Sequence, residues 1–136
     1  MNSKQFLIVG GIVLVLVGVL GAIGVIGPTA RESLFGPTWW FDSAENWAHL
    51  VLGIVAVAAA FVLPANIQKP LVILVGLFVL VVGIYSLTGS VNLLGANLEN
   101  PADTLLHIVV GLWGLAAALM GTHEDSMSNS PMPMSS

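Results

Sequence analysis

Hydrophobic residues form four long runs, separated by shorter stretches of polar residues, proline and glycine. The runs cover residues 6–27, 45–63, 70–88 and 102–121. Each is close to the ~20 apolar residues that a helix needs to cross the hydrocarbon core of a bilayer. The pattern predicts an all-α membrane protein with one four-helix transmembrane domain over residues 1–121. Residues 122–136 are rich in Ser, Met and Pro, so we expect a flexible cytoplasmic tail there.

Several residues mark where these helices begin and end. Pro28 and Pro64 follow the first and second runs, and proline cannot continue a helix without losing a hydrogen bond. Asp42 and Glu45 have the spacing of a capping box, in which each side chain accepts a hydrogen bond from the other residue's amide. Residues 65–69 are too few to cross a membrane, so they predict a tight link between the second and third helices.

One pattern occurs twice, over residues 45–53 and again over residues 103–111. In each copy a histidine follows a carboxylate by four residues and a glycine follows the histidine by four, which places all three on one face of a helix. The residues are Glu45, His49 and Gly53 in the first copy, and Asp103, His107 and Gly111 in the second. We therefore predict two tandem two-helix repeats, related by a pseudo-twofold axis along the membrane normal.

Composition supports a membrane protein and excludes several functions. Apolar residues make up 57% of the chain and charged residues only 7%, with a mean hydropathy of +0.98. Soluble domains carry about 25% charged residues. The net charge of -4 and the lack of a basic patch argue against a nucleic-acid partner. The chain has no cysteine and no nucleophile or phosphate-loop motif, so an enzyme is not expected.

The three cations predict an orientation. Lys4 and Lys69 fall on one side of the predicted bundle, and Arg31 falls on the other. Positive residues are favoured on the cytoplasmic side of a membrane. The N- and C-termini are therefore predicted to be cytoplasmic, and the two long loops are predicted to face outward.

Small residues and tryptophans add detail to this arrangement. Glycines let helix backbones approach closely in lipid, where packing drives association. The predicted packing positions are Gly18, Gly21, Gly24, Gly53, Gly76, Gly83, Gly111 and Gly114, and a groove for a lipid tail or pigment is the alternative. Trp39, Trp40 and Trp47 cluster where the second helix begins. Tryptophan is typical of the membrane–water interface, so these residues are predicted to mark the bilayer boundary.

Four interpretations of His49 and His107 are open. The structural one pairs each histidine with the carboxylate four residues before it, which ties each helix start to its loop. In the second, the two imidazoles are axial ligands of a b-type haem or of chlorophyll-type pigments. The third is a metal site built from both histidines and both carboxylates. The fourth is a proton or substrate path, which would need polar residues nearer the middle of the membrane. We predict structural pairs and no metal.

The chain also resembles a family of small bacterial membrane proteins, over about residues 5–121. The likeness is carried by the glycine-rich first run, Leu34-Phe35-Gly36, the stretch Asn46-Trp47-Ala48-His49-Leu50 with Gly53, and the second histidine–glycine copy. That family has four predicted helices and is described only as a domain of unknown function. The resemblance implies a multi-pass protein of the bacterial inner membrane, and it implies no activity or ligand.

These observations predict a small non-enzymatic membrane protein that acts as a structural or accessory subunit of a larger membrane complex. Its expected partners are the lipid bilayer and either another membrane protein or a second copy of itself, without a cofactor. One alternative is a haem- or pigment-binding subunit with His49 and His107 as axial ligands. A second alternative is a small transporter or channel-like protein.

Overall fold

The computed structural model describes residues 1–89 and 92–128, with side chains described as far as Gly121. Within these residues the chain forms four α-helices, α1 (Ser3–Ala22), α2 (Ser43–Val62), α3 (Ala65–Leu87) and α4 (Ala102–Ser128). A short 3-10 helix (Gly36–Thr38) and an antiparallel ribbon of β1 (Asn92–Leu93) and β2 (Ala96–Asn97) lie between them. All four α-helices are long and apolar enough to cross a membrane, counting α4 as far as Gly121. The predicted all-α membrane fold is confirmed.

The helices run alternately up and down, as two hairpins. We call α1 with α2 hairpin 1, and α3 with α4 hairpin 2. The segments 23–42 and 92–101 lie at one end of the bundle, which we call the loop end. Asn2, Pro64 and Gly121 lie at the other end, which we call the terminal end.

Helices α1 and α2 both begin with a capping box. Asp42 Oδ1 accepts a hydrogen bond from Glu45 N at 2.9 Å, and Glu45 Oε2 accepts one from Asp42 N at 3.1 Å. The capping box predicted for α2 is therefore confirmed. Asn2 and Gln5 make the same exchange at the start of α1, at 3.0 Å in both directions. Each box satisfies two amides that have no partner inside the helix.

Helix α1 is shorter than the first predicted span. It ends at Ala22 rather than at Gly27, and Gly24 has a φ of +85°. Glycine adopts that left-handed conformation without strain, so the chain turns there. The amide of Val25 then bonds back to Leu20 O at 2.9 Å. The apolar residues after Ala22 therefore belong to the loop end.

Helix α3 begins at Ala65, so the residues predicted as a link form its first turn and Pro70 lies inside the helix. Pro70 is the sixth residue of α3, past the first turn, so α3 lacks the hydrogen bond that an amide there would donate to Asn66 O. The buried Gln68 side chain donates from Nε2 to Ala60 O at 3.0 Å and to Leu63 O at 2.7 Å. It thereby satisfies carbonyls at the end of α2 that have lost their helical partners.

Helix α4 continues past its predicted end at Gly121 as far as Ser128. Residues 122–128 contain neither glycine nor proline, so nothing in that sequence breaks the helix. Of the tail predicted to be flexible, residues 129–136 lie outside the described residues.

Within each hairpin the two helices come together at a pair of glycines. A Cβ atom built on Gly53 would lie 2.6 Å from Gly11 O, and one built on Gly111 would lie 2.9 Å from Gly76 O. Both distances are shorter than a van der Waals contact, so the backbones approach this closely because neither residue has a side chain. Helix α1 packs mainly on α2, and α3 packs mainly on α4.

The buried apolar core lies toward the terminal end, where it joins the two hairpins. The ring of Phe6 in α1 packs edge-on against Trp113 in α4, with centroids 4.7 Å apart. The buried residues of this core are Phe6, Leu7, Ala59, Ala60, Val72, Ala117 and Ala118. Large apolar side chains elsewhere on the helices point outward, as Val62 does at 78% exposure. Such surfaces are expected where a helix faces lipid.

Candidate functional site

The loop end is closed by a reciprocal exchange of hydrogen bonds between the hairpins. Trp39, in the loop of hairpin 1, donates from Nε1 to Asp103 Oδ1 in α4 at 3.1 Å. Asn97, in the loop of hairpin 2, donates from its backbone N to Oδ2 of Asp42, the N-cap of α2, at 2.8 Å. Each loop therefore holds the start of the other hairpin's second helix. We call the two loops with these helix starts, residues 23–46 and 92–104, the loop cap.

A row of aromatic rings runs through the loop cap. The ring centroids of Phe35 and Trp39 are 5.2 Å apart, and those of Trp39 and Phe41 are 5.4 Å apart. The imidazole of His49 continues the row, at 5.0 Å from the Phe41 ring. The amide of Phe41 also donates to Ile26 O at 2.7 Å, which fixes the loop against the segment that follows α1.

Four carboxylates meet in the loop cap, on Asp42, Glu45, Glu99 and Asp103. Glu45 and Asp103 are almost fully buried, at 3% and 0% exposure. Oδ2 of Asp103 accepts a hydrogen bond from Glu99 N at 2.7 Å. Burial, and after it the nearby Asp103 carboxylate, raises the pKa of Glu99 to about 7. Glu99 therefore changes its charge near neutral pH.

The two histidines of the repeated pattern lie beneath the loop cap, close enough for their charges to interact. Nδ1 of His107 is 2.6 Å from the backbone O of Asp103. Nδ1 of His49 is buried and has no hydrogen-bond partner among the described residues. The repeated sequence pattern therefore places the two imidazoles together but gives them unlike surroundings.

The carboxylates of the pattern have partners other than the predicted histidines. Glu45 accepts from the amide of Asp42, and Asp103 accepts from Trp39 and Glu99. Over residues 1–89 and 92–128 no hydrogen bond joins a histidine to the carboxylate side chain four residues before it. The helix starts are therefore held by donors in the loops. The Asp42–Glu45 exchange was predicted from the sequence spacing, whereas the bond from Trp39 to Asp103 was not.

His107 has the geometry of a ligand that binds through its other ring nitrogen. When Nδ1 donates to a backbone carbonyl, Nε2 is left unprotonated and can coordinate a metal centre. The Glu45 carbonyl takes the equivalent position beside His49, but Nδ1 of His49 makes no well-formed hydrogen bond to it. Among the described residues, no group of three or more His, Asp and Glu side chains is arranged to hold a metal ion.

Most of the glycines predicted to pack helices do lie between helices. A Cβ on Gly18 would lie 2.7 Å from Asn46 O, and one on Gly21 would overlap Asn46 Oδ1. Gly83 faces Ile108, Gly114 faces Phe6, and Gly53, Gly76 and Gly111 form the close approaches described above. Gly24 differs from the prediction, since it lies in the turn after α1. Gly11 was not predicted, although it precedes Gly18 by the same spacing that separates Gly76 from Gly83.

Beneath the loop cap the two hairpins bury different polar groups. In hairpin 1, Gly21 makes room for the buried side chain of Asn46. In hairpin 2, Ser86 and Thr104 are buried, and their hydroxyl oxygens are 2.6 Å apart. Sequence reasoning missed this hydroxyl pair, because single Ser and Thr residues near helix ends are too common to stand out.

The predicted interface tryptophans occupy different environments. Trp39 is half-buried and hydrogen-bonded inside the loop cap, and Trp40 is also half-buried. Trp47, on α2, is 66% exposed. Trp47 therefore has the exposure that an aromatic residue at a lipid interface needs, whereas Trp39 serves to join the hairpins.

The tips of the two loops are apolar, exposed and held in place. Leu34, Phe35 and Leu94 are 78%, 53% and 97% exposed. Each tip ends in a glycine with positive φ, Gly36 at +57° and Gly95 at +92°. The sequence could have indicated these tips, because an apolar tripeptide ending in glycine, Leu34-Phe35-Gly36 or Leu93-Leu94-Gly95, precedes each histidine.

Comparison with known proteins adds no family to this description. The chain matches no protein family, no curated protein and no solved structure. The resemblance to a bacterial membrane family therefore stays a prediction, and function rests on the geometry of this chain.

Proposed function

We propose that this protein is a small non-enzymatic accessory subunit of a larger membrane complex, and that its loop cap binds a partner membrane protein. The main support is the exposure of Leu34, Phe35 and Leu94, at 78%, 53% and 97%. These side chains lie on loops that hydrogen bonds hold in position. A partner that buries apolar groups on a rigid surface pays little for ordering them.

The packing glycines do not supply that interface. Each of these glycines faces the opposite helix of its own hairpin and is not available to a partner. They are Gly11, Gly53, Gly76 and Gly111. A partner therefore meets the loop cap and the outward apolar faces of the helices. The loop cap is the more specific of these surfaces, because any lipid chain satisfies an apolar helix face.

Photo-crosslinking in the native membrane tests this proposal. A photoreactive residue replaces Leu34 or Leu94, and exposed Thr38 in the same loop is the matched control position. We expect both leucine positions to capture the same protein and Thr38 to capture it weakly. That protein should co-purify in a fixed ratio and be lost from the Leu34→Ser, Leu94→Ser variant. Capture of lipid alone at both leucines would contradict the proposal.

A second candidate is a haem- or pigment-binding subunit with His49 and His107 as axial ligands. The observation that favours it is the 2.6 Å contact between His107 Nδ1 and Asp103 O, which leaves Nε2 for a ligand. The test is a visible absorption spectrum of protein purified gently from its native membrane. A Soret-type or chlorophyll-type band that disappears in the His49→Ala, His107→Ala variant would replace the scaffold proposal. A colourless protein would remove this candidate.

We further propose that the two hairpins are copies of one unit, related by a pseudo-twofold axis along the membrane normal. One sequence offset relates Gly11 to Gly76 and Gly18 to Gly83, and a second relates Gly53 to Gly111 and His49 to His107. The second offset also relates Trp39 to Asn97, the two donors of the reciprocal bonds, although their acceptors Asp103 and Asp42 are not at equivalent positions. An experimental structure whose hairpins superpose only about an axis in the membrane plane would contradict this.

We place the protein in the bacterial inner membrane with its terminal end in the cytoplasm. The support is Lys4 and Lys69 at the terminal end, against Arg31 at the loop end. Because the chain has no cysteine, single cysteines can be placed at Ser3 and Thr38 without background labelling. We expect a membrane-impermeant maleimide to label intact cells at Thr38 only, and labelling at Ser3 only would reverse the orientation.

A further inference from the structure

A cavity of about 390 Å³ opens at the terminal end of the bundle. Its walls are the first residues of α1 and α3, the last residues of α2, and residues of α4 up to Gly121. It is therefore a place where all four helices contribute. The polar and charged side chains in its walls include Lys4, Lys69, Asn2 and Gln68.

The cavity gathers positive charge in a chain that is acidic overall. The chain has three Lys and Arg residues and a net charge of -4, and two of those three cations, Lys4 and Lys69, line the cavity. The acidic residues with described side chains all lie at the loop end and are Glu32, Asp42, Glu45, Glu99 and Asp103. An anion in the cavity thus meets two cations, and the described carboxylate side chains lie at the other end of the bundle; Glu124 and Asp125, which follow Gly121 on α4, lie beyond the described side chains.

Helix ends of both kinds border the cavity. Helices α1 and α3 begin there with a partial positive charge, and α2 ends there with a partial negative one, so the positive charge of the cavity comes mainly from the two lysines. The capping box of Asn2 satisfies amides of α1, whereas Pro64, before α3, makes no side-chain cap. Ala65, the first residue of α3, lies in the cavity wall.

The apolar part of the wall favours a lipid over a free anion. Phe61, which lines the cavity, is 68% exposed, and the Lys4 ammonium lies 5.4 Å from the centroid of its ring. A lysine at the end of a membrane span reaches the level of the phospholipid headgroups. We propose that this cavity binds the phosphate of an anionic phospholipid, with Lys4 and Lys69 as its cationic contacts and an acyl chain along Phe61.

Native mass spectrometry of the full chain with phosphatidylglycerol or phosphatidylcholine tests the proposal. The wild type should prefer phosphatidylglycerol. Each lysine near an anionic headgroup contributes about fivefold in affinity, so Lys69→Gln should weaken that binding about fivefold and Lys4→Gln, Lys69→Gln roughly 30-fold. The matched control is Arg31→Gln, which removes the same charge at the loop end and should leave the preference unchanged.

Three further results decide the source of the effect. Equal binding of the two lipids by the wild type would overturn the proposal, because the headgroup charge would then not be recognised. An equal loss in Arg31→Gln would also overturn it, because total charge would then be the cause. Inorganic phosphate that binds lipid-free protein at the same two lysines as tightly as phosphatidylglycerol does would assign the cavity to a free anion. The Lys4→Arg, Lys69→Arg variant keeps the charge, so it should keep the lipid preference.

Discussion

The two hairpins bring their helices together by the same means. In each, a glycine on the first helix faces a glycine on the second, Gly11 with Gly53 and Gly76 with Gly111. In lipid there is little hydrophobic force between helices, so such contacts depend on close packing. Both hairpins therefore depend on residues that have no side chain.

Beneath the loop cap, however, the hairpins differ. Hairpin 1 buries Asn46 against Gly21, and Asn46 Nδ2 reaches Phe41 O at 3.4 Å. Hairpin 2 joins the hydroxyls of Ser86 and Thr104 at 2.6 Å. The packing of Asn46 in hairpin 1 depends on the space that Gly21 leaves, whereas the contact in hairpin 2 depends on a hydrogen bond between two hydroxyl groups. Substitutions that add volume should therefore weaken hairpin 1 more, and substitutions that remove a hydroxyl should weaken hairpin 2.

The largest effect is expected from adding a methyl group to the close approach in hairpin 1. In Gly53→Ala the new carbon would lie 2.6 Å from the backbone oxygen of Gly11, which cannot move alone. We expect a loss of about 3 kcal/mol in the free energy of unfolding. In Gly111→Ala the new carbon would lie 2.6 Å from Leu80 Cγ, a side-chain atom, and 2.9 Å from the backbone oxygen of Gly76, a longer backbone contact than the one in hairpin 1. There we expect about 2 kcal/mol.

The control for this comparison is Gly10→Ala. Gly10 neighbours Gly11, but its added carbon would find its nearest atom at 4.0 Å. Unfolding in mixed micelles measures all three variants. Alanine favours a helix more than glycine does, so Gly10→Ala should cost no stability. If it costs as much as Gly53→Ala, the close approach is not the cause of the loss.

The second effect concerns the bonds exchanged between hairpins. Trp39→Phe keeps the ring row but removes the Nε1 donor from the fully buried Asp103 carboxylate. We expect a loss of about 2 kcal/mol in the free energy of unfolding, since a hydrogen bond to a buried charge is lost. Trp40→Phe is the matched control and should change stability little. Equal losses in the two variants would mean that the bond to Asp103 contributes nothing.

A smaller effect should separate the polar pairs. Ser86→Ala leaves the buried Thr104 hydroxyl without its partner, which we expect to cost about 1 kcal/mol in the free energy of unfolding. Adding Thr104→Val removes the second hydroxyl and should recover part of that loss. A double-mutant cycle over these variants measures the coupling between the two residues. A coupling of zero would contradict the hydrogen bond.

The smallest effect is a dependence of local stability on pH in the loop of hairpin 2. Because burial raises the pKa of Glu99 from 4.5 to about 7, the folded loop holds its proton more tightly than the unfolded chain does. Its stability is therefore full below about pH 4.5 and falls as the pH rises through about 7. The protection factor of the Asn97 amide, which compares its exchange with that of an unfolded amide at the same pH, should fall over this range.

Two variants check the source of this pH dependence. Glu99→Gln should remove most of it, because the amide does not titrate. Glu32→Gln changes an exposed carboxylate of hairpin 1 and should leave it intact. Persistence of the full pH dependence in Glu99→Gln would assign it to another buried carboxylate of the loop cap.

The helices could be predicted from the sequence because each one needs a long apolar run, which is a local property. The start of α2 was also predictable, since Asp42 and Glu45 are close in the chain. The end of α1 was not, because hydropathy stays high beyond Ala22 and Gly24 acts through its backbone conformation. Hydropathy does not distinguish a lipid-facing helix from an apolar loop.

The candidate site was only half predictable. The sequence pattern drew attention to Glu45, His49, Asp103 and His107, and all four lie in or directly beneath the loop cap. Some of their partners are local, as Asp42 is for Glu45 and Glu99 is for Asp103. The second donor to Asp103 could not be predicted, because it is Trp39, which is 64 positions away in the sequence. Only the packing of one hairpin on the other brings them together.

The layout of these contacts has a consequence for the order in which the protein assembles. Each glycine pair joins helices that are consecutive in the chain, so hairpin 1 can close while hairpin 2 is still being synthesised. Trp39 must then wait for Asp103, which is made last among the residues of the loop cap that exchange bonds. A half-finished chain already holds its helices together but lacks the loop cap. A partner that binds the loop cap would therefore recognise completed molecules only.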